Sequence, residues 1–171
     1  IRLSSSHKIF GRERETVDEA YAGDVVGLIG HSDFRIGDTL ALDPNLVYDE
    51  IPRFPPECFA YLQSPSTAQF KRFREGLDQL LQEGVVQSFL VKNSAQRVPL
   101  LGAVGPLQFE VVQYRLQTEY GAESRLESAP WSVIRWVVKG GPVDESILPT
   151  GARVAVDPAG SEVLLFQEQW A

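Results

Sequence analysis

The chain has 171 residues, of which 43% are hydrophobic and 23% charged, enough for one domain or two small ones with a buried core. Its net charge of −7 argues against a general nucleic-acid-binding surface, whose usual footprint is a basic domain. The single cysteine, Cys58, excludes an internal disulfide and a cysteine zinc site, and nothing resembles a signal peptide or a membrane-length apolar run.

That composition implies a soluble, cytoplasmic protein. The charge is uneven: residues 1–53 carry six Lys/Arg against ten Asp/Glu, residues 54–140 nine against eight, and residues 141–171 one against five. An anionic partner therefore has its best footing in the middle block. The sequence starts at Ile1 and contains no methionine, so it reads as a fragment.

The first part gives short β patterns at residues 8–10, 24–29 and 39–42, separated by Gly, Asp and Ser turns. Val25-Val26-Gly27-Leu28-Ile29 is continuously apolar, as in a strand buried inside a small barrel. Pro52, Pro55 and Pro56 bar regular ladder pairing over residues 51–57 and stiffen that stretch as a connector. This places one domain at 1–50 and a second at 58–171.

The second begins with a strand at 58–63, a helix at 66–83 and a strand at 85–91. A hairpin partner at 99–104, a helix at 106–120 and a strand at 122–127 complete a β-α-β-β-α-β order, the split βαβ motif. The expected class is α+β: a partial antiparallel β-barrel followed by a ferredoxin-like sandwich, with extra C-terminal strands at 131–138, 153–156 and 163–167.

The first helix has Ser66 to cap its start and Gly84 to take the left-handed position after its end. Phe70, Phe73, Leu77, Leu80 and Leu81 fall on one stripe. The second helix differs. Phe109, Val112, Leu116 and Tyr120 form one apolar stripe, while Leu107, Val111 and Tyr114 form another on the opposite side. One stripe faces the sheet; the other needs a cover or a partner. Trp131, Val133, Trp136 and Val138 make the C-terminal strands the expected cover.

Catalytic patterns are weak. The two histidines, His7 and His31, fall in strand flank or loop, without a nucleophile and orienting group at recognisable spacing. Cys58 at a strand start reads as a small core residue. Asp24-Val25-Val26-Gly27 matches a bare D-x-x-G, but no phosphate-cradling G-x-x-x-x-G-K-[ST] and no N-K-x-D accompany it; Gly23-Asp24 reads as a turn. Carboxylates such as Glu13, Glu15, Asp18 and Glu19 sit in a charged loop and read as solvated.

The most distinctive stretch is GAVGPLQFE at residues 102–110. Gly105 allows a tight turn, and Pro106 suits a helix start, where its missing N–H costs nothing. The stretch resembles the strand-to-helix junction in the third domain of translational GTPases, in the form carried by the release factor 3 family. Residues 19–28, 34–40 and 76–87 resemble the same family in the same order. The first two of these are shared by the second domain of many translational GTPases; Glu83-Gly84-Val85-Val86-Gln87 is more specific.

The resemblance implies the C-terminal half of a GTPase of translation termination, namely the end of a second-domain barrel and a third domain. GTP and magnesium would bind an N-terminal domain not present here, so this chain would hold no catalytic, cofactor or metal site. It would serve ribosome docking and domain coupling, with rRNA, ribosomal proteins and codon-reading release factors as partners and a monomeric state. Lys8, Arg12 and Arg14, placed in the loop before Gly23, and Lys71, Arg72 and Arg74 on the first helix are the candidate phosphate contacts. The competing reading is that Arg12 and Arg14 neutralise Glu13 and Glu15, while Lys71 pairs with Glu75 and Arg74 with Asp78 at i,i+4. Leu107, Val111 and Tyr114 are the candidate interdomain or partner contact. Rival functions are a fragment of an elongation-factor-G-like or ribosome-protection GTPase, a small-molecule-sensing ferredoxin-like module, and an acylphosphatase-like enzyme.

Overall fold

The computed structural model describes residues 5–10, 13–16, 19–29, 36–49, 51–52, 54–94, 98–138 and 143–168. The chain divides into two compact units, Ile1–Val47 and Tyr48–Ala171.

In the first unit, β1 (Ser5–Phe10), β2 (Glu13–Thr16) and β3 (Val26–Ile29) form an antiparallel sheet in the order β2-β1-β3. These three strands do not by themselves close a barrel. The stretch expected as a charged loop is strand β2, in which Arg14 pairs with Ile9 and Glu15 with Lys8. Glu13-Arg14-Glu15-Thr16 has no apolar alternation to mark it as a strand; its pairing with β1 makes it one. Conversely, residues 39–42 hold no regular strand. An Asx turn follows directly, in which the Asp43 carboxylate accepts from Asn45 N at 2.9 Å and its carbonyl from Leu46 N at 3.1 Å. The Gly23-Asp24 turn is present: Gly23 has φ +97° and Asp24 N donates to the Tyr21 carbonyl at 2.9 Å.

The second unit runs β4 (Cys58–Gln63), α1 (Phe70–Gln82), β5 (Gln87–Val91), β6 (Leu100–Ala103), α2 (Leu107–Tyr120), β7 (Arg125–Ser128), β8 (Val133–Trp136), β9 (Arg153–Val156) and β10 (Glu162–Phe166). Its sheet has the order β7-β4-β6-β5-β9-β10-β8, with every neighbouring pair antiparallel. The first four strands follow from two helical crossovers. The crossover through α1 passes over β6 and that through α2 over β4, which is the ferredoxin-like arrangement.

Alternation along β4 sends Ala60 and Leu62 to one face and Phe59 and Tyr61 to the other. The first face buries Phe73, Leu77 and Leu80 of α1 and Phe109, Val112 and Leu116 of α2. On the second, Phe59, Tyr61, Phe89 and Leu100 join Ile134, Ala155, Val163 and Leu165. Ile134 belongs to the last strand in the order yet shares a cluster with residues of β4, so the sheet curls and its late strands cover its own second face. Trp131 Nε1 closes that end by donating to the Gly151 carbonyl at 2.9 Å.

The C-terminal strands therefore do not cover the second stripe of α2, contrary to expectation. The helices protect only one face of the sheet. The other offers several large apolar side chains, each worth about 1.5–3 kcal/mol when buried, a stronger demand than one stripe of three residues.

The first helix also begins differently. A 310 turn, Thr67–Gln69, precedes α1, and the Ser66 side chain makes no capping bond; its carbonyl instead accepts from Gln69 N and from the Ser64 hydroxyl. Phe70, expected on the buried stripe, is 54% exposed, because the helix starts there and its first turn overhangs the core. Gly84, at φ +73°, ends the helix as expected, with Val85 N bonding the Leu80 carbonyl.

Candidate functional site

Of the residues singled out for contact with anions, Lys8 and Arg14 lie on nearby rungs of the β1–β2 ladder, while Arg12 falls outside the described residues. His31 does too. His7 Nδ1 stands 3.3 Å from the Thr16 hydroxyl on its paired strand, a bond within the sheet.

Lys71, Arg72 and Arg74 share the exposed side of α1. Lys71 Nζ is 3.8 Å from Glu75 and Arg74 Nε 3.9 Å from Asp78, the i,i+4 pairs that the spacing offers. Both pairs are open to water and bind weakly. Arg72 differs: a Cβ added at Gly121 would lie 3.2 Å from its Nη1, so its guanidinium sits over the residue that ends α2. A cation is favoured beside those last carbonyls. Each of the three cations thus has an acidic or dipolar neighbour.

On α2 the two stripes separate cleanly. Phe109, Val112 and Leu116 are buried, Tyr120 half-buried, and Leu107, Val111 and Tyr114 exposed at 66%, 41% and 69%. The buried stripe comes close to α1 at Gly76, where an added Cβ would stand 2.7 Å from Tyr120 Cγ and 2.8 Å from Leu116 Cδ2. Only glycine allows that approach.

Sequence reasoning missed a polar seam beside these stripes. Gln108 Oε1 accepts from Val104 N at 2.7 Å and Gly105 N at 3.2 Å, while its Nε2 donates to the Val85 carbonyl at 2.9 Å. Arg115 pairs with Glu83 and, at 2.6 Å from Nε, with Glu119. Hydrogen bonding from Arg115 holds the carboxyls of Glu83 and Glu119 below the usual glutamate range, and the same bonds raise the Arg115 guanidinium further. Gln108 and Arg115 reach Val85 and Glu83, two residues apart in the turn that ends α1. A spacing of seven on one helix, opposite a Glu-Gly-Val turn, was the available sign.

Among the described residues, no group of three or more His, Cys, Asp or Glu side chains could hold a metal ion. No helix there is long and apolar enough to cross a membrane. A surface cleft of about 410 Å³ lies between Pro55-Pro56-Glu57 and residues 132–135. The Ser132 hydroxyl on its wall donates to the Gln167 carbonyl at 2.7 Å. The Ile134 carbonyl on its wall accepts from Arg135 Nη1 at 2.8 Å.

The two units, a three-stranded antiparallel sheet and a split-βαβ sheet extended by three further strands, define an α+β chain of two domains. The comparisons narrow this. The family model for elongation factor G domain 2 matches residues 1–43, and that for the class II release factor RF3, C-terminal domain, matches residues 48–171. The chain belongs to the RF3 family through that C-terminal domain.

It is 48% identical over 171 residues to a peptide chain release factor 3 of Cyanothece sp., covering 99% of this chain and 32% of that protein. The protein of the same name from Synechococcus elongatus is 49% identical over 171 residues, covering 99% and 31%. That from Gloeobacter violaceus is 51% identical over 137 residues, covering 80% and 26%. The chain thus spans about a third of the length of the curated relatives it matches. In fold it resembles a crystal structure from Thermus thermophilus, with a TM-score of 0.59 and 22% identity over 81% of this chain and 21% of that one.

Proposed function

We propose that this chain is the C-terminal region of a translational GTPase of termination, which docks the factor on the ribosome and couples its nucleotide state to domain position. The intact factor uses GTP in the cytoplasm, as a monomer, to remove codon-reading release factors. The observation that carries the reading is the RF3 match over residues 48–171, joined to near-half identity along 99% of the chain. The same match weighs against an elongation-factor-G-like or ribosome-protection fragment.

GTP and magnesium belong to a domain outside this sequence, since the chain has neither the phosphate loop nor the guanine-reading motif. Its own contribution is contact. Lys8, Arg12, Arg14, Lys71, Arg72 and Arg74 meet rRNA phosphates, which give position without sequence reading. Leu107, Val111 and Tyr114 meet another domain or a ribosomal protein. In an acidic chain such cationic contacts are local, so binding weakens as salt rises.

The test is truncation of the intact factor before the residue equivalent to Tyr48. Nucleotide affinity should persist, while GTP-dependent removal of a fluorescently labelled release factor from the ribosome should be lost. Removal at the parental rate would overturn the reading.

A further inference from the structure

α2 carries apolar stripes on opposite sides: Phe109, Val112 and Leu116 are buried with Tyr120 half-buried beside them, and Leu107, Val111 and Tyr114 are exposed. Hydrophobic burial discriminates only weakly between such faces, since rolling the helix about its axis exchanges one apolar stripe for the other. The close fit of Leu116 and Tyr120 at Gly76 favours one roll, and directional polar bonds can sharpen that choice.

Gln108 and Arg115 are seven residues apart and so stand within about 20° of each other around the helix, in the seam between the two stripes. Gln108 bonds three backbone groups. Two lie in the β6–α2 junction, Val104 N and Gly105 N, and the third is the Val85 carbonyl. Arg115 reaches Glu83 of the same turn. Pro106, at the start of α2, supplies no side-chain cap, so the Gln108 amide serves the junction in its place. Any roll of α2 breaks these bonds and leaves polar groups that are half-buried without partners, which is costly.

We infer that Gln108 and Arg115 are positioning residues that fix the roll of α2, and so determine which of its two apolar stripes is buried and which is presented. The device does not depend on the translational role. It is a polar choice of register, made by half-buried groups, carried over to helix rotation.

The experiment uses the full chain with Cys58→Ala and a single reporter thiol, either Leu107→Cys on the outer stripe or Val112→Cys on the inner one. Maleimide labelling rates are compared with and without Gln108→Leu/Arg115→Leu. In the parent the outer thiol should react on the order of a hundredfold faster than the inner one, and the double variant should cut that ratio at least about tenfold at unchanged helix content, as a second roll state becomes populated. A ratio within about twofold of the parent, with only a lower melting temperature, would show that the bonds stabilise without selecting, and the inference would fall. Should the double variant lose its circular dichroism, Gln108→Leu alone is read by the same ratio: a drop of about threefold or more supports the inference, and no change overturns it.

Discussion

α1 and α2 pack on the same face of one sheet, yet their sequences specify that position by different means. α1 has a single apolar stripe, of which Phe73, Leu77 and Leu80 are buried while Phe70 at its start stays exposed. α2 offers two stripes and buries one, Phe109, Val112 and Leu116. Where a helix is amphipathic, burial alone chooses its orientation; where it is apolar on two sides, close packing at Gly76 and directional polar bonds from Gln108 and Arg115 add to the choice.

The strongest way to break that comparison is to place a charge on each side of α2. Val112→Asp puts a carboxylate where exposure is 0%, and urea unfolding should show a loss of about 3 kcal/mol or more. Next in size is the contact between the helices. Gly76→Ala forces a Cβ to within 2.7 Å of Tyr120 Cγ; an overpacking cost of about 1–3 kcal/mol against a helix-propensity gain of about 1 kcal/mol leaves a net loss of up to about 2 kcal/mol. Tyr120→Ala should relieve much of it in a double-mutant cycle.

A pH series sharpens the polar half of the comparison. Glu83 and Glu119 have folded values depressed by hydrogen bonds from Arg115. Their contribution is therefore complete above the ordinary glutamate value of 4.5 and is lost as pH falls through the lower folded values. The stability gap between the parent and Arg115→Leu should be constant near neutrality and close in acid. The smallest effect is expected on the outer side of α1: Lys71→Ala breaks a pair whose side chains are 87% and 61% exposed, and should change stability by less than about 0.5 kcal/mol.

The ferredoxin-like core was legible because its signs are local: helix period, the Gly84 stop and the Gly105-Pro106 start. Placement of the last three strands was not. Periodicity shows that Ile134, Val163 and Leu165 want burial, but not whether they meet a helix stripe or the open face bearing Phe59 and Phe89. Strand β2 was hidden because Glu13-Arg14-Glu15-Thr16 has no apolar face, and its state depends on pairing with β1. In the candidate site, the i,i+4 pairs of Lys71 and Arg74 could be read from spacing. Arg72 over the end of α2 and Gln108 against Val85 join segments distant in sequence, and no local pattern announces such contacts.

The most direct test is Val111→Asp, one residue away from Val112 but 41% exposed, made both in this chain and in the intact factor. The account predicts that the chain melts within about 1 kcal/mol of its parent, while GTP-dependent removal of release factors from the ribosome is impaired at unchanged nucleotide affinity. A chain destabilised by several kcal/mol would mean that the outer stripe is buried after all, and an intact factor of unaltered activity would mean that it contacts nothing the function needs.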